Sequence, residues 1–144
     1  MWGCISSKGP GPIKVIRGTM DGDKYLQTLA ECIIPYKSEI GVFQQDNRPP
    51  HKTHTVLKAL SDAQIPVLDC PPYSPDVNCI ENIWAILKDK VHKMHANNMA
   101  DLETHILEVW ANDESLKVAC RNVVQSMTNR IRLLRRNKGV VIKY

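Results

Sequence analysis

The chain has 144 residues, 43% of them hydrophobic and 24% charged, a balance that excludes disordered and fibrous classes and suits a globular domain with its own core. No apolar run is long enough to span a membrane, and the opening "MWGCISSKGPGP" lacks the basic start and long apolar stretch of a secretory signal. The net charge of +4 is uneven: Arg121 to Tyr144 holds seven basic residues and no acid, leaving 12 basic and 15 acidic groups in the first 120 residues. A basic tail on a mildly acidic body points to a polyanionic partner, nucleic acid first, with a solvated helix face as the competing reading.

In chain order, "GCISS" and "GPIKVIRG" read as two short strands joined at "KGPGP", where Gly and Pro punctuate β-branched flanks. A helix follows, with Asp21 or Asp23 as N-cap and Tyr25, Leu26, Leu29 and Ile33 at helical spacing, up to Pro35. "IGVFQQ" returns to a strand, His51 to Gln64 to a helix, and "IPVLDCP" to a strand that Pro71 and Pro72 end. "PPYSPDVN" is a loop. The strongest helical pattern runs from Cys79 to about Met94, with Ile80, Ile83, Trp84, Leu87 and Val91 on one face. Two more helices, "MADLETHILEVWAN" and "SLKVACRNVVQSMTNRIRLLRRN", precede a short "GVVIKY" end. This order predicts an α/β layer architecture with a mixed sheet and no internal repeat. Trp84 and Trp110 fall in apolar stripes and are expected in the core rather than stacked on bases.

Five cysteines, Cys4, Cys32, Cys70, Cys79 and Cys120, are odd in number and scattered. Neither a disulfide framework nor a zinc cluster is suggested, and a reducing intracellular compartment fits best.

Two carboxylates stand out. Asp46 ends the "IGVFQQD" strand, where function gathers in such sheets. Glu81 lies three residues after Asn78, a good N-cap, and 34 residues separate the two acids. Two carboxylates at one sheet edge suit a hard cation such as Mg²⁺, which takes oxygen ligands. Each acid also has a purely structural reading: an Asx turn at Asp46, and at Glu81 a capping box with Asn78. His51 and His54 read as polar residues at a helix entry rather than zinc ligands.

The wording of the motifs decides between these readings. "VFQQDNRPPH", followed after that spacing by "SPDVNCIENIWAILK", closely resembles the catalytic core of DDE transposases of the Tc-one/mariner superfamily, in the branch with Asp-34-Glu spacing. The resemblance extends over essentially the whole chain. It implies an RNase H-like fold, a mixed sheet flanked by helices, over residues 1–144, with a basic helical segment at 115–144. It also implies DNA cleavage and strand transfer by a centre in which three acids hold two Mg²⁺ or Mn²⁺ ions. By resemblance Asp46 is the second acid and Glu81 the third, with Asn47, His51, Asn78 and Asn82 near the site. DNA, as transposon ends and target, is the implied partner, with a homodimer in the full-length protein, no membrane association and a nuclear location. Arg121, Arg130, Arg132, Arg135, Arg136 and Lys138 are the candidates for phosphate contact.

The resemblance also defines what is expected to be missing. The first acid and its strand, and the helix-turn-helix modules that recognise transposon ends, match nothing in this chain, so on its own it is expected to lack catalysis. In an RNase H-like sheet that strand lies between the second and fourth. Its loss would leave backbone groups unpaired, at roughly 1–3 kcal/mol for each one buried, and edges prone to aggregation. Arg48, Pro50 and Cys79 depart from the family pattern beside the acids, and Arg48 would compete for the charge of Asp46. The alternative function is a non-catalytic DNA-binding or interaction remnant of a transposon.

Overall fold

The computed structural model describes residues 1–68 and 77–136, which fall into two compact units, one built from Met1–Val15 and residues 77–136 and the other from residues 16–68. "PPYSPDVN" lies almost wholly outside the described residues, as do the end of the "IPVLDCP" segment, Lys138 and "GVVIKY".

In the first unit, β1 (Trp2–Ser6) and β2 (Gly9–Lys14) form an antiparallel hairpin pairing Trp2 with Lys14 and Ser6 with Gly9. The second strand begins two residues earlier than the Gly-Pro pattern suggests, because Gly9, at φ +131°, turns the chain within Ser7–Lys8 and leaves Pro10 free to pair. Helices α3 (Ile80–His92), α4 (Met99–Asn112) and α5 (Glu114–Arg136) complete the unit. Their apolar stripes meet in one core of Ile83, Leu87, Val91, Val109, Trp110, Leu116 and Cys120, against which Ile5 and Ile13 of the hairpin pack. Burying side chains of this size contributes about 1.5–3 kcal/mol each, which is what holds three separate helices to a two-stranded ribbon. Trp84 and Trp110 stack at 5.3 Å, and Trp110 Nε1 donates to the carbonyl of Gly11 at 2.7 Å, so Trp110 is a core residue and Trp84, half-buried, packs against that core.

The second unit holds α1 (Gly22–Cys32) and α2 (His54–Asp62). Asp21 is the N-cap of α1, its carboxylate accepting from Lys24 N at 2.9 Å. Tyr25 and Leu29 of α1, and Val56 and Leu60 of α2, are buried where the two helices meet. Pro35 does not stop the chain in extended form; it opens a 3₁₀ segment, Ile34–Glu39, at a position where its missing N–H is not needed. The helix expected from His51 begins only at His54. Pro49 and Pro50 set a separate 3₁₀ turn, Pro49–Lys52, and Thr53, extended at ψ 145°, caps α2 through its hydroxyl.

Among the described residues, the two strands expected around Asp46 meet in a parallel bridge, Phe43 to Val67, with Phe43 N donating to Pro66 O at 2.7 Å and Leu68 N to Phe43 O at 2.8 Å; the rest of the second lies outside the described residues. Pro66 has no N–H to extend that ladder.

Candidate functional site

Asp46 lies in the second unit, just after the bridged Phe43. Its carboxylate is 31% exposed, and both of its oxygens are engaged by its own neighbours. Arg48 Nε stands 3.1 Å from Oδ2, and Arg48 N donates to Oδ1 at 3.2 Å, which closes the Asx turn. His51 Nδ1 lies 2.5 Å from Oδ1 and 3.3 Å from the Asp46 carbonyl. Two acceptors facing one ring nitrogen place a proton on Nδ1.

His51 is itself held firmly. Its ring stacks on Tyr25 at 3.8 Å between centroids; the Tyr25 hydroxyl donates to Gln45 Oε1 at 2.7 Å, and Gln45 Nε2 donates to the His51 carbonyl at 3.1 Å. Burial draws the imidazole below its ordinary pKa and outweighs the opposing pull of the Asp46 carboxylate. The ring is therefore neutral near pH 7, and the His51–Asp46 contact is a hydrogen bond to a carboxylate rather than an ion pair. Tyr25 and Gln45 were not legible as site residues: Tyr25 reads as part of the α1 stripe and Gln45 as a strand residue. Asn47 is half-buried beside Asp46.

Glu81 lies in the first unit, in the first turn of α3, and is exposed. The capping box with Asn78, the purely structural reading of Glu81, does not form. Cys79 is the N-cap position and is already helical, at φ −64° and ψ −21°, without a side-chain capping bond. Asn78 instead sends its amide Nδ2 to Glu81 Oε1 at 3.3 Å, and Glu81 N donates to the Asn78 carbonyl at 3.2 Å. Asn82, the next residue, accepts from the guanidinium of Arg130 on α5 at 3.0 Å. Cys79 has a buried neighbour in Cys120, whose thiol is pushed up to about 11 by its burial first and by Cys79 second. Among the described residues no disulfide forms.

Arg121, Arg132, Arg135 and Arg136 are exposed on α5. Arg130, grouped with them as a phosphate contact from charge alone, is 3% exposed, with Nε donating to Ser126 Oγ at 2.9 Å. It is thus withdrawn from the surface that a phosphate would reach. At about 100° per residue, the four exposed arginines share one arc of α5 and Arg130 falls on the opposite side.

The donor chemistry, carboxylate and amide oxygens, suits a hard divalent cation. Among the described residues no three His, Cys, Asp or Glu side chains stand close enough to hold a metal, and Asp46 already spends its oxygens on Arg48 and His51.

The family model described as "DDE superfamily endonuclease" matches residues 1–103, which include both acids. The chain belongs to this family. Among its relatives is the transposase of transposable element Tcb1 of Caenorhabditis briggsae, 31% identical over 148 residues and covering 100% of this chain and 54% of the relative. The transposase of transposable element Tc1 of Caenorhabditis elegans is 30% identical over 148 residues with the same two coverages. The chain thus spans about half the length of the curated relatives it matches. Among solved structures, the catalytic domain of Mos1 mariner transposase matches with a TM-score of 0.82 at 16% identity, over 95% of this chain and 72% of that one. The fold of this DDE-family chain is accordingly RNase H-like, as its motifs predict.

Proposed function

We propose that the chain forms part of the catalytic domain of a DNA transposase, with Asp46 and Glu81 as two of the acids required for DNA cleavage and strand transfer. The observation that carries this reading is the family match over residues 1–103, which takes in both acids at the spacing of the Asp-34-Glu branch. The Mos1 catalytic domain has been solved with Mg and with Mn, which supports divalent-metal use. Paired-end complexes of Mos1 support transposon-end DNA as the partner. The exposed arginines of α5 supply positive charge for phosphate contact. A homodimer and a nuclear location belong to the same proposal.

A second reading is favoured by one observation: the carboxylate of Asp46 is engaged on both oxygens by Arg48 and His51. On that reading the chain is a DNA-binding protein without catalysis. The two differ in what they require. Backbone binding weakens steeply with salt and survives EDTA, whereas cleavage needs metal and both acids.

The test is a chimera in which residues 1–144 replace the matching part of the Tc1 transposase, assayed for cleavage at the ends of its element. Cleavage is expected to fall at least about 100-fold in Asp46→Asn and in Glu81→Gln, a loss typical of removing one charge-stabilising group. A chimera that binds the end DNA with unchanged affinity yet never cleaves would establish the second reading.

A further inference from the structure

We infer that Arg130 is a positioning residue: from the buried face of α5 its guanidinium holds Asn82, and with it the first turn of α3, which carries Glu81. The inference rests on the reading of Glu81 as an acid of the cleavage centre.

A guanidinium that is 3% exposed has lost its water and must be repaid by fixed acceptors. Two are in place. Nη2 donates to Asn82 Oδ1 at 3.0 Å and Nε to Ser126 Oγ at 2.9 Å. The Ser126 hydroxyl gives its own proton to the Val123 carbonyl at 2.7 Å, so its oxygen is turned toward Arg130 as an acceptor. The planar fork of the guanidinium then fixes where Asn82 can sit, which an ammonium on a flexible stem would not do.

Cys79, the N-cap of α3, makes no side-chain capping bond, while α1, α2 and α4 are each closed by a side chain: Asp21, Thr53 and Asn98. A cation beside a helix N-terminus opposes the helix dipole, so the arrangement does little for α3 except to locate it. Asn82 is adjacent to Glu81 in sequence, so a shift of one moves the other.

Amide hydrogen exchange on the whole chain, without metal or DNA, tests this for wild type, Arg130→Gln, Arg130→Lys and Asn82→Ala. Trp84 to Leu87, whose amides bond back into the first turn of α3, are expected to exchange about tenfold faster or more in Arg130→Gln and Asn82→Ala, with α4 amides nearly unchanged. Arg130→Lys is expected to restore little. Unchanged exchange in α3, or the same acceleration in α4 as in α3, would overturn the proposal; the latter would mean only a general contribution to stability. Asn82→Ala leaves α5 intact and keeps the test valid if Arg130→Gln unfolds. DNA affinity gives an independent check, since an equal loss in Arg130→Gln and Arg132→Gln would return Arg130 to phosphate contact. None of these outcomes depends on cleavage, so failure here is distinct from failure of the transposase reading.

Discussion

At Gly3 the absence of a side chain is what lets the indole pair close over the hairpin. A Cβ there would meet Trp84 Cη2 at 2.8 Å and Trp110 at 3.4 Å, both rigid ring atoms in a packed core. Gly3→Ala should therefore cost about 1–3 kcal/mol, read from the midpoint of chemical denaturation; an unchanged midpoint would mean that the rings move aside freely. Asp113 sets a pH dependence. The ammonium of Lys90 at 2.8 Å, then the Ser115 hydroxyl and the Leu116 N–H, hold its carboxyl well below the usual carboxylate range. A depressed folded pKa means stability that is fully present above the ordinary carboxylate value of about 3.9 and is lost as pH falls through the lower folded value. Acid titration of stability should be less steep in Asp113→Asn between about pH 4 and 2, and equal slopes would contradict the assignment. Single residues were the least legible scale in the sequence. Asp46 and Glu81 stand out by motif, yet the bonds that Arg48, His51, Tyr25 and Gln45 make around Asp46 depend on side chains brought together by folding.

At the scale of elements, α5 divides by face. Leu116, Cys120 and Arg130 point inward, while Arg121, Arg132, Arg135 and Arg136 are exposed. If that outer face meets phosphates, replacing the four exposed arginines with Gln should lower the salt slope of DNA binding by about one unit per arginine. Equal slopes in the variant and the parent would remove α5 from the interface. Truncating the inner face acts differently: Leu116→Ala, at 0% exposure, should cost about 2–5 kcal/mol of stability with no direct effect on the salt slope. Helices were readable because an amphipathic stripe repeats over several turns, and α4 begins and ends where its pattern does. Of the strands around Asp46 the described residues show one bridge, since an apolar run says nothing of how far a partner ladder extends and Pro66 lacks the N–H to extend it on one side. The cap of α3 was misplaced by one residue, because Asn78 favours capping by composition while Cys79 already has helical backbone angles.

At the scale of the whole molecule, the fold family was legible because two long motifs at fixed spacing carry it, and the Mos1 structural match bears out the RNase H-like fold. Helical phase could have separated Arg130 from the other arginines, but charge alone grouped all of them. The grouping of acids into a metal centre was not readable, because it depends on how separate stretches of chain assemble rather than on any local pattern. Asp46 and Glu81 lie in different compact units of the described structure, and their shared role is a claim about chemistry. The most direct measurement is therefore metal rescue in the Tc1 chimera: cleavage by Asp46→Cys and by Glu81→Cys in Mg²⁺ and in Mn²⁺. A thiolate is a poor ligand for Mg²⁺ and a better one for Mn²⁺, so both variants should lose cleavage in Mg²⁺ and recover a measurable part of it in Mn²⁺. Equal cleavage by either variant in both metals, or cleavage that persists in EDTA, would contradict the assignment of that carboxylate to a metal-dependent centre.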